Sequence, residues 1–244
     1  MLVDNKFLYI SLPRCASTAF QLSCIKNNIK IQHATYYIDK IIELTDTSLD
    51  IETLKSKISH KHESCSELFN KFGNNYEIIS VKRNRHVRFI SCWEHIIDEL
   101  EKMNEYDAAN ILKKLDENDI LYYSSNDILD IDNMNILVES FLKKFSIEIK
   151  TDFGKLFLPI MLTIQFNATS EWHEHNPNII WFDFDKLYEL EEWVSNKLEK
   201  PFKLERLNSS KHIECNLKLT DNFIKKYNKI YDSYDFRKEK KTLI

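Results

Sequence analysis

The chain runs to 244 residues yet carries only 2 glycines and 4 prolines. Most turns must therefore fall to Asn, Asp and Ser, whose short polar side chains favour turn conformations. Cysteine is sparse and unpatterned: Cys15, Cys24, Cys65, Cys92 and Cys215 form no Cys-x-x-Cys pair. An odd, scattered set points away from a disulfide framework and from zinc, and toward reduced thiols. No apolar run is long enough to span a bilayer. The opening Met1-Leu-Val-Asp leads at once to a strand, without the charged and apolar regions of a secretory leader. A soluble, cytoplasmic chain is expected. An excess of positive charge is missing too, since 34 basic and 38 acidic residues leave a net charge of −4. No global basic field draws the chain to nucleic acid or membrane. Its basic residues must act locally, which suits a small anion.

With 43% apolar and 30% charged residues, the chain has the composition of a globular protein, and its length requires no second domain. Its hydrophobic pattern predicts a strand at about 6–11, a helix at 17–28, an extended stretch at 29–36, and helices at 48–58 and 62–72. A central strand at 77–82 follows and leads into a long helix at 85–103. Apolar residues at helical spacing (Ile111, Leu112 and Leu115, then Ile136, Leu137, Phe141 and Leu142) predict helices at 104–118 and 132–147. Between them, 119–132 reads as an acidic connector. The apolar stretch 156–166 fits a helix or a strand. A strand at 179–184 and helices at 187–198 and 221–232 complete the pattern. Strands alternating with helices predict an α/β fold, a parallel sheet with helices on both faces.

Two segments carry chemistry. In Phe7-Leu-Tyr-Ile-Ser-Leu-Pro-Arg-Cys-Ala-Ser-Thr-Ala-Phe20 an apolar strand runs into a tight turn and opens a helix. The turn holds one cation, Arg14, and the small residues Cys15, Ala16, Ser17, Thr18 and Ala19. Small side chains let backbone N–H groups approach an anion, and the helix N-terminus adds positive partial charge. The Ser17 and Thr18 hydroxyls offer two further donors. An ordinary strand–loop–helix with a Ser/Thr cap explains the same residues. The second segment, Tyr76 to Trp93, is again a strand ending in a basic cluster and a helix. Arg83 stands at the strand's end and Ser91 eight positions on. Ligands of open α/β sheets gather at the carboxyl ends of strands. Lys82, Arg83, Arg85 and Arg88 would oppose the helix dipole, so something anionic is expected to offset them.

These two segments resemble the sulfotransferases that use adenosine 3′-phosphate 5′-phosphosulfate (PAPS), closest to the carbohydrate (Golgi-type) branch. The first is similar to the family's 5′-phosphosulfate loop. The second is similar to its 3′-phosphate motif, here Arg83, Ser91 and the aromatic Trp93. His62-Glu-Ser-Cys-Ser-Glu-Leu68 resembles a family segment that precedes the central strand, and 183–190 and 204–234 share its look. The likeness is weakest at about 97–150, taken as a helical insertion in a single domain 1–244. Golgi members usually carry a membrane anchor, and this chain resembles the bare catalytic part. Two positions depart from the family: Ala16 stands where a Gly is usual, and Arg85 where a Pro is.

The resemblance implies a P-loop-like three-layer fold and transfer of a sulfuryl group from PAPS to an acceptor hydroxyl, with a glycan as the expected partner. It implies Arg14 at the leaving phosphate and the 5′-phosphosulfate held by residues 15–19. Arg83 and Ser91 would take the 3′-phosphate, with Lys211 also within the cofactor site, and His62 would act as base. His60, Glu63 and His33 are rivals for that role, and Lys211 reads equally well as a plain loop lysine. Trp172-His-Glu-His175 is a polar loop with no third metal ligand, and no metal is expected. Gln165, just before it, stands where relatives often place a polar acceptor-side residue. Two other functions fit a strand–loop–helix anion site. A kinase-like phosphotransferase is one, although Gly-x-x-x-x-Gly-Lys-[Ser/Thr] is absent. A nucleotide-binding domain without turnover is the other.

Overall fold

A computed structural model describes residues 1–12, 14–32, 65–124, 131–166, 178–205 and 213–232. In chain order these form β1 (Leu2–Val3), β2 (Phe7–Ile10), α1 (Ser17–Lys26), β3 (Ile31–Gln32), α2 (Cys65–Phe72), β4 (Glu77–Lys82) and α3 (Arg85–Lys102). Then follow α4 (Tyr106–Lys114), α5 (Glu117–Leu121), α6 (Ile131–Lys144), α7 (Asp152–Phe166), β5 (Ile179–Asp183), α8 (Leu187–Leu198) and α9 (Asp221–Asp232). Backbone proximity groups the chain into two compact units, Met1–Arg83 with His173–Leu207, and Asn84–Trp172 with Asn208–Ile244. The helical insertion expected at about 97–150 falls within the second.

The first unit is a mixed five-stranded sheet in the order β3-β1-β2-β4-β5. β2, β4 and β5 run parallel, as the alternating pattern predicts. The wholly parallel sheet needs correction, because β1 pairs antiparallel with both β2 and β3. A tight turn suffices to join β1 to β2. Asp4 and Asn5 both take positive φ there, and the Lys6 N–H closes the turn on the Val3 carbonyl at 2.8 Å.

All four residues of β2 are buried, so both faces of the sheet are dry at its centre. On one face Tyr9 stacks on Phe20 of α1 with ring centroids 4.0 Å apart, and Phe7 meets Trp193 of α8 edge-on at 5.0 Å. Phe182 of β5 also reaches Trp193. Each such pair contributes about 0.5–1.5 kcal/mol beyond its buried area. Leu8, Ile10 and Ile78 alternate onto the opposite face and are equally buried. The Ser80 hydroxyl, inside the core, donates to the Ile10 carbonyl at 2.9 Å and so ties β4 to β2.

The second unit is helical. Trp93, Tyr123, Phe141, Phe145 and Phe166 make one aromatic cluster, and Phe89, Phe223 and Tyr227 another. The undecided stretch 156–166 belongs to a helix that starts at Asp152, longer than an ordinary strand. The helix expected at 104–118 stops at Lys114, because Leu115 is extended and Asp116 starts α5 through a capping box with Asp119. That helix enters the stretch expected as a connector. Among the described residues, no helix is long and apolar enough to cross a membrane.

Candidate anion-binding site

Most left-handed residues in this chain have an evident purpose. Asn28, Asn104, Ser146 and Glu199 sit just past helix C-termini, as does Gly73, where that conformation lets the chain leave the helix. Asp4 and Asn5 make the hairpin turn. Arg14 and Ala16 are different: both have φ 60, and both lie at a helix start. The left-handed region costs a side-chain-bearing residue roughly 1–2 kcal/mol.

That cost sets the direction of the loop's peptide groups. The carbonyl of Cys15 turns inward and accepts from the Tyr9 hydroxyl at 3.4 Å. The peptide is planar and trans, so the N–H of Ala16 points the opposite way, out of the core. The carbonyl of Arg14 accepts from Nη1 of Arg83 at 3.4 Å, and the N–H of Cys15 donates to the Leu12 carbonyl at 3.3 Å. Ala16 then takes the N-cap position of α1. Its carbonyl accepts the first helical bond, from the Phe20 N–H at 2.9 Å, but its side chain caps nothing. No acidic residue follows in the first turn. Successive N–H groups in such a loop form a concavity suited to an anion, and the helix terminus adds positive charge. Ser17 is buried at the helix start, while Thr18 and Ala19 are half-buried. The Cys15 side chain is buried, and its N–H and carbonyl are both engaged within the protein.

Arg83 meets the backbone of the loop that carries Arg14. β2 and β4 are neighbours, and Arg83 follows the last residue of β4 directly. Its guanidinium lies 4.6 Å above the ring of Phe184, the residue after β5. Sequence reasoning missed Phe184, since an aromatic after an apolar strand reads as core. Lys82 sits opposite Asp183 in the strand register, with its ammonium 3.5 Å from that carboxylate.

The basic run is thus partly offset by the protein itself, where an external anion was expected. Asn84 also caps α3, its side-chain oxygen accepting from the His86 and Val87 N–H groups at 3.1 and 3.2 Å. Ser91 belongs to the second unit and is buried two turns into α3, in line with buried Arg88 and Glu94 at helical spacing. Gln165 is spoken for, its amide donating to the Phe89 carbonyl at 3.0 Å in the interior. His62, its rivals His60, Glu63 and His33, Lys211 and the loop 172–175 lie outside the described residues.

Among the described residues one group could approach a metal: His95, Asp98 and Glu99 of α3, with ligand atoms within 4.8 Å of one another. Lys102 already lies between the two carboxylates, at 2.7 Å from each. Burial pushes the Cys24 thiol up to about 12 and raises Cys215 as well, so neither is poised as a nucleophile. No family model, curated protein or solved structure matches the chain.

Proposed function

We propose that the protein is a PAPS-dependent sulfotransferase acting on an acceptor hydroxyl, with a carbohydrate as the acceptor class. The observation that carries this is the loop between β2 and α1. Arg14 and Ala16 hold strained left-handed conformations at a helix start without a side-chain cap, and the Arg14 carbonyl accepts from Arg83. Backbone strain held by its surroundings clusters at ligand sites. Two cations from adjacent strand ends suit a ligand with two separated anionic groups, and no acid in the first turn of α1 opposes it. The proposal extends to a P-loop-like three-layer arrangement of sheet and helices.

PAPS would supply an activated sulfuryl group on a good leaving phosphate. The protein's part is positioning and charge. Arg14 would offset charge on the leaving phosphate, and the backbone N–H groups of residues 16–19 with the Ser17 and Thr18 hydroxyls would hold the 5′ end. Arg83 suits the 3′-phosphate because its planar fork bonds phosphate oxygens in pairs, with Ser91 and Lys211 as further donors. His62, in its neutral imidazole form, would accept the acceptor's hydroxyl proton. Cationic side chains can carry this charge stabilisation, so no metal is invoked.

A thermal-shift comparison tests the cofactor site. Adenosine 3′,5′-bisphosphate at about 100 times its Kd should stabilise the protein by roughly 2.7 kcal/mol, and Arg83→Ala should abolish the shift. A larger shift with ATP–Mg²⁺ would favour the phosphotransferase. Bisphosphate binding without sulfuryl transfer to any sugar, phenol or alcohol would favour a domain without turnover.

A further inference from the structure

Three neighbouring strands deliver one group each to a single guanidinium. The loop after β2 supplies the Arg14 carbonyl, β4 leads into Arg83 itself, and β5 leads into the ring of Phe184. An Arg side chain has many rotamers, and fixing it costs entropy. Phe184 can fix it because its own ring packs against the core of the first unit and opens a short 3₁₀ turn, Phe184–Lys186. A guanidinium 4.6 Å above a ring centroid is well inside the range of cation–π attraction. Asp183, the acid next to Phe184, is engaged by Lys82.

We infer that Phe184 is a positioning residue for Arg83, and through Arg83 for the strained loop. The ring holds the guanidinium where one N–H braces the Arg14 carbonyl. Guanidinium carries five N–H donors in a planar fork, a geometry suited to phosphate oxygens. The shape of the 5′ loop and the capture of a second phosphate are thereby coupled through one side chain. The site should select nucleotides that carry both 5′ and 3′ anionic groups over those with the 5′ group alone. This rests on the cofactor reading proposed above.

The test joins calorimetry with NMR of the full chain. Adenosine 3′,5′-bisphosphate and adenosine 5′-monophosphate are titrated into wild type, Phe184→Leu and Phe184→Tyr. Leucine keeps apolar bulk but removes the π face. It should weaken the bisphosphate about 3- to 10-fold, as the loss of one cation–π contact implies, and weaken the monophosphate, which meets only the displaced loop, by a smaller factor. Tyrosine should restore wild-type preference. In ligand-free protein the Arg83 Nε–Hε resonance should carry a ring-current shift, lost in Phe184→Leu together with a displaced Ala16 amide. Arg83→Lys should displace the same amide with the ring intact, which keeps the test usable if Phe184→Leu fails to fold. Unmoved Arg83 and Ala16 resonances in Phe184→Leu, or an unmoved Ala16 amide in Arg83→Lys, would overturn the inference whatever binds. Should neither nucleotide bind wild type while the NMR signature is present, the cofactor reading fails and the positioning role stands.

Discussion

Helices start in two ways in this protein. In the helical unit α3, α5, α7 and α9 start on a side-chain oxygen, although α4 does not. Asn84 caps α3, and Asp116 makes a reciprocal box at α5. Glu105, buried, accepts from the N–H groups of Lys150 and Thr151 ahead of α7. Gly154 lets the chain come this close, since a Cβ there would stand 2.6 Å from Ile149 Cγ2 and 2.7 Å from Thr151 Oγ1. In the sheet unit neither α1 nor α8 has a side-chain cap at its N-cap residue. The N-cap of α1 is Ala16, left-handed, with no side-chain acceptor and no acid in the first turn. A Ser, Asp or Asn cap is worth about 1 kcal/mol, so α1 forgoes stability that α3 and α5 take.

Removing Arg14 should break this contrast most severely. Arg14→Ala takes away the charge assigned to the leaving phosphate while the loop keeps a residue with a Cβ. Sulfuryl transfer should fall about 10²–10³-fold, the loss typical of one transition-state donor, with stability changed by about 0.5 kcal/mol or less. Steady-state kinetics alongside urea unfolding separate the two effects. Turnover within a few-fold of wild type would reduce α1 to a poorly capped helix.

Glu105 tests the other side. Burial pushes its carboxyl up, but the hydrogen bonds from Thr151 and Lys150 outweigh that and hold it below the ordinary range. Its folded pKa is therefore below its unfolded one. The stabilisation is present above the unfolded value of about 4.3 and is lost as pH falls through the folded value. Glu105→Gln should cost about 2 kcal/mol at pH 7, within the span for hydrogen bonds to a charged group. In a chain this long that lowers the midpoint by about 4–8 °C. The gap between wild type and variant should close as pH drops below roughly 4. A gap independent of pH would show that Glu105 matters by shape and not by charge.

What could be read in advance depended on how local each feature is. The central strand at Glu77–Lys82 and the helix at Leu187–Leu198 fall at their predicted bounds, because burial periodicity is written in consecutive residues. Arg14 and Arg83 could be singled out by residue type and by their place after a strand. That Arg83 reaches the Arg14 carbonyl could not, since the two are 69 positions apart and only the β2–β4 pairing joins them. Phe184 stayed hidden for the same reason. β1, at two residues, exists only through its pairing, whereas β3 falls inside the extended stretch expected at 29–36. The start of α5 was legible in principle, for Asp116 and Asp119 have capping-box spacing, but the helical spacing of Ile111, Leu112 and Leu115 carried one expected helix through Asp116 to 118.

The smallest expected effect isolates the strain itself. At φ 60 alanine bears a penalty that glycine lacks. Glycine also loses more chain entropy on folding, which returns part of the gain. Ala16→Gly should thus stabilise the protein by about 0.5–1 kcal/mol in urea unfolding, a direction opposite to that for most substitutions. Bisphosphate affinity should hold, because the N–H groups keep their directions. The same change at Phe20, on the regular part of α1, would destabilise through lost packing on Tyr9. A loss of stability at Ala16 would mean that its methyl group packs more than its backbone strains, and α1 would no longer stand apart from the capped helices on grounds of conformation.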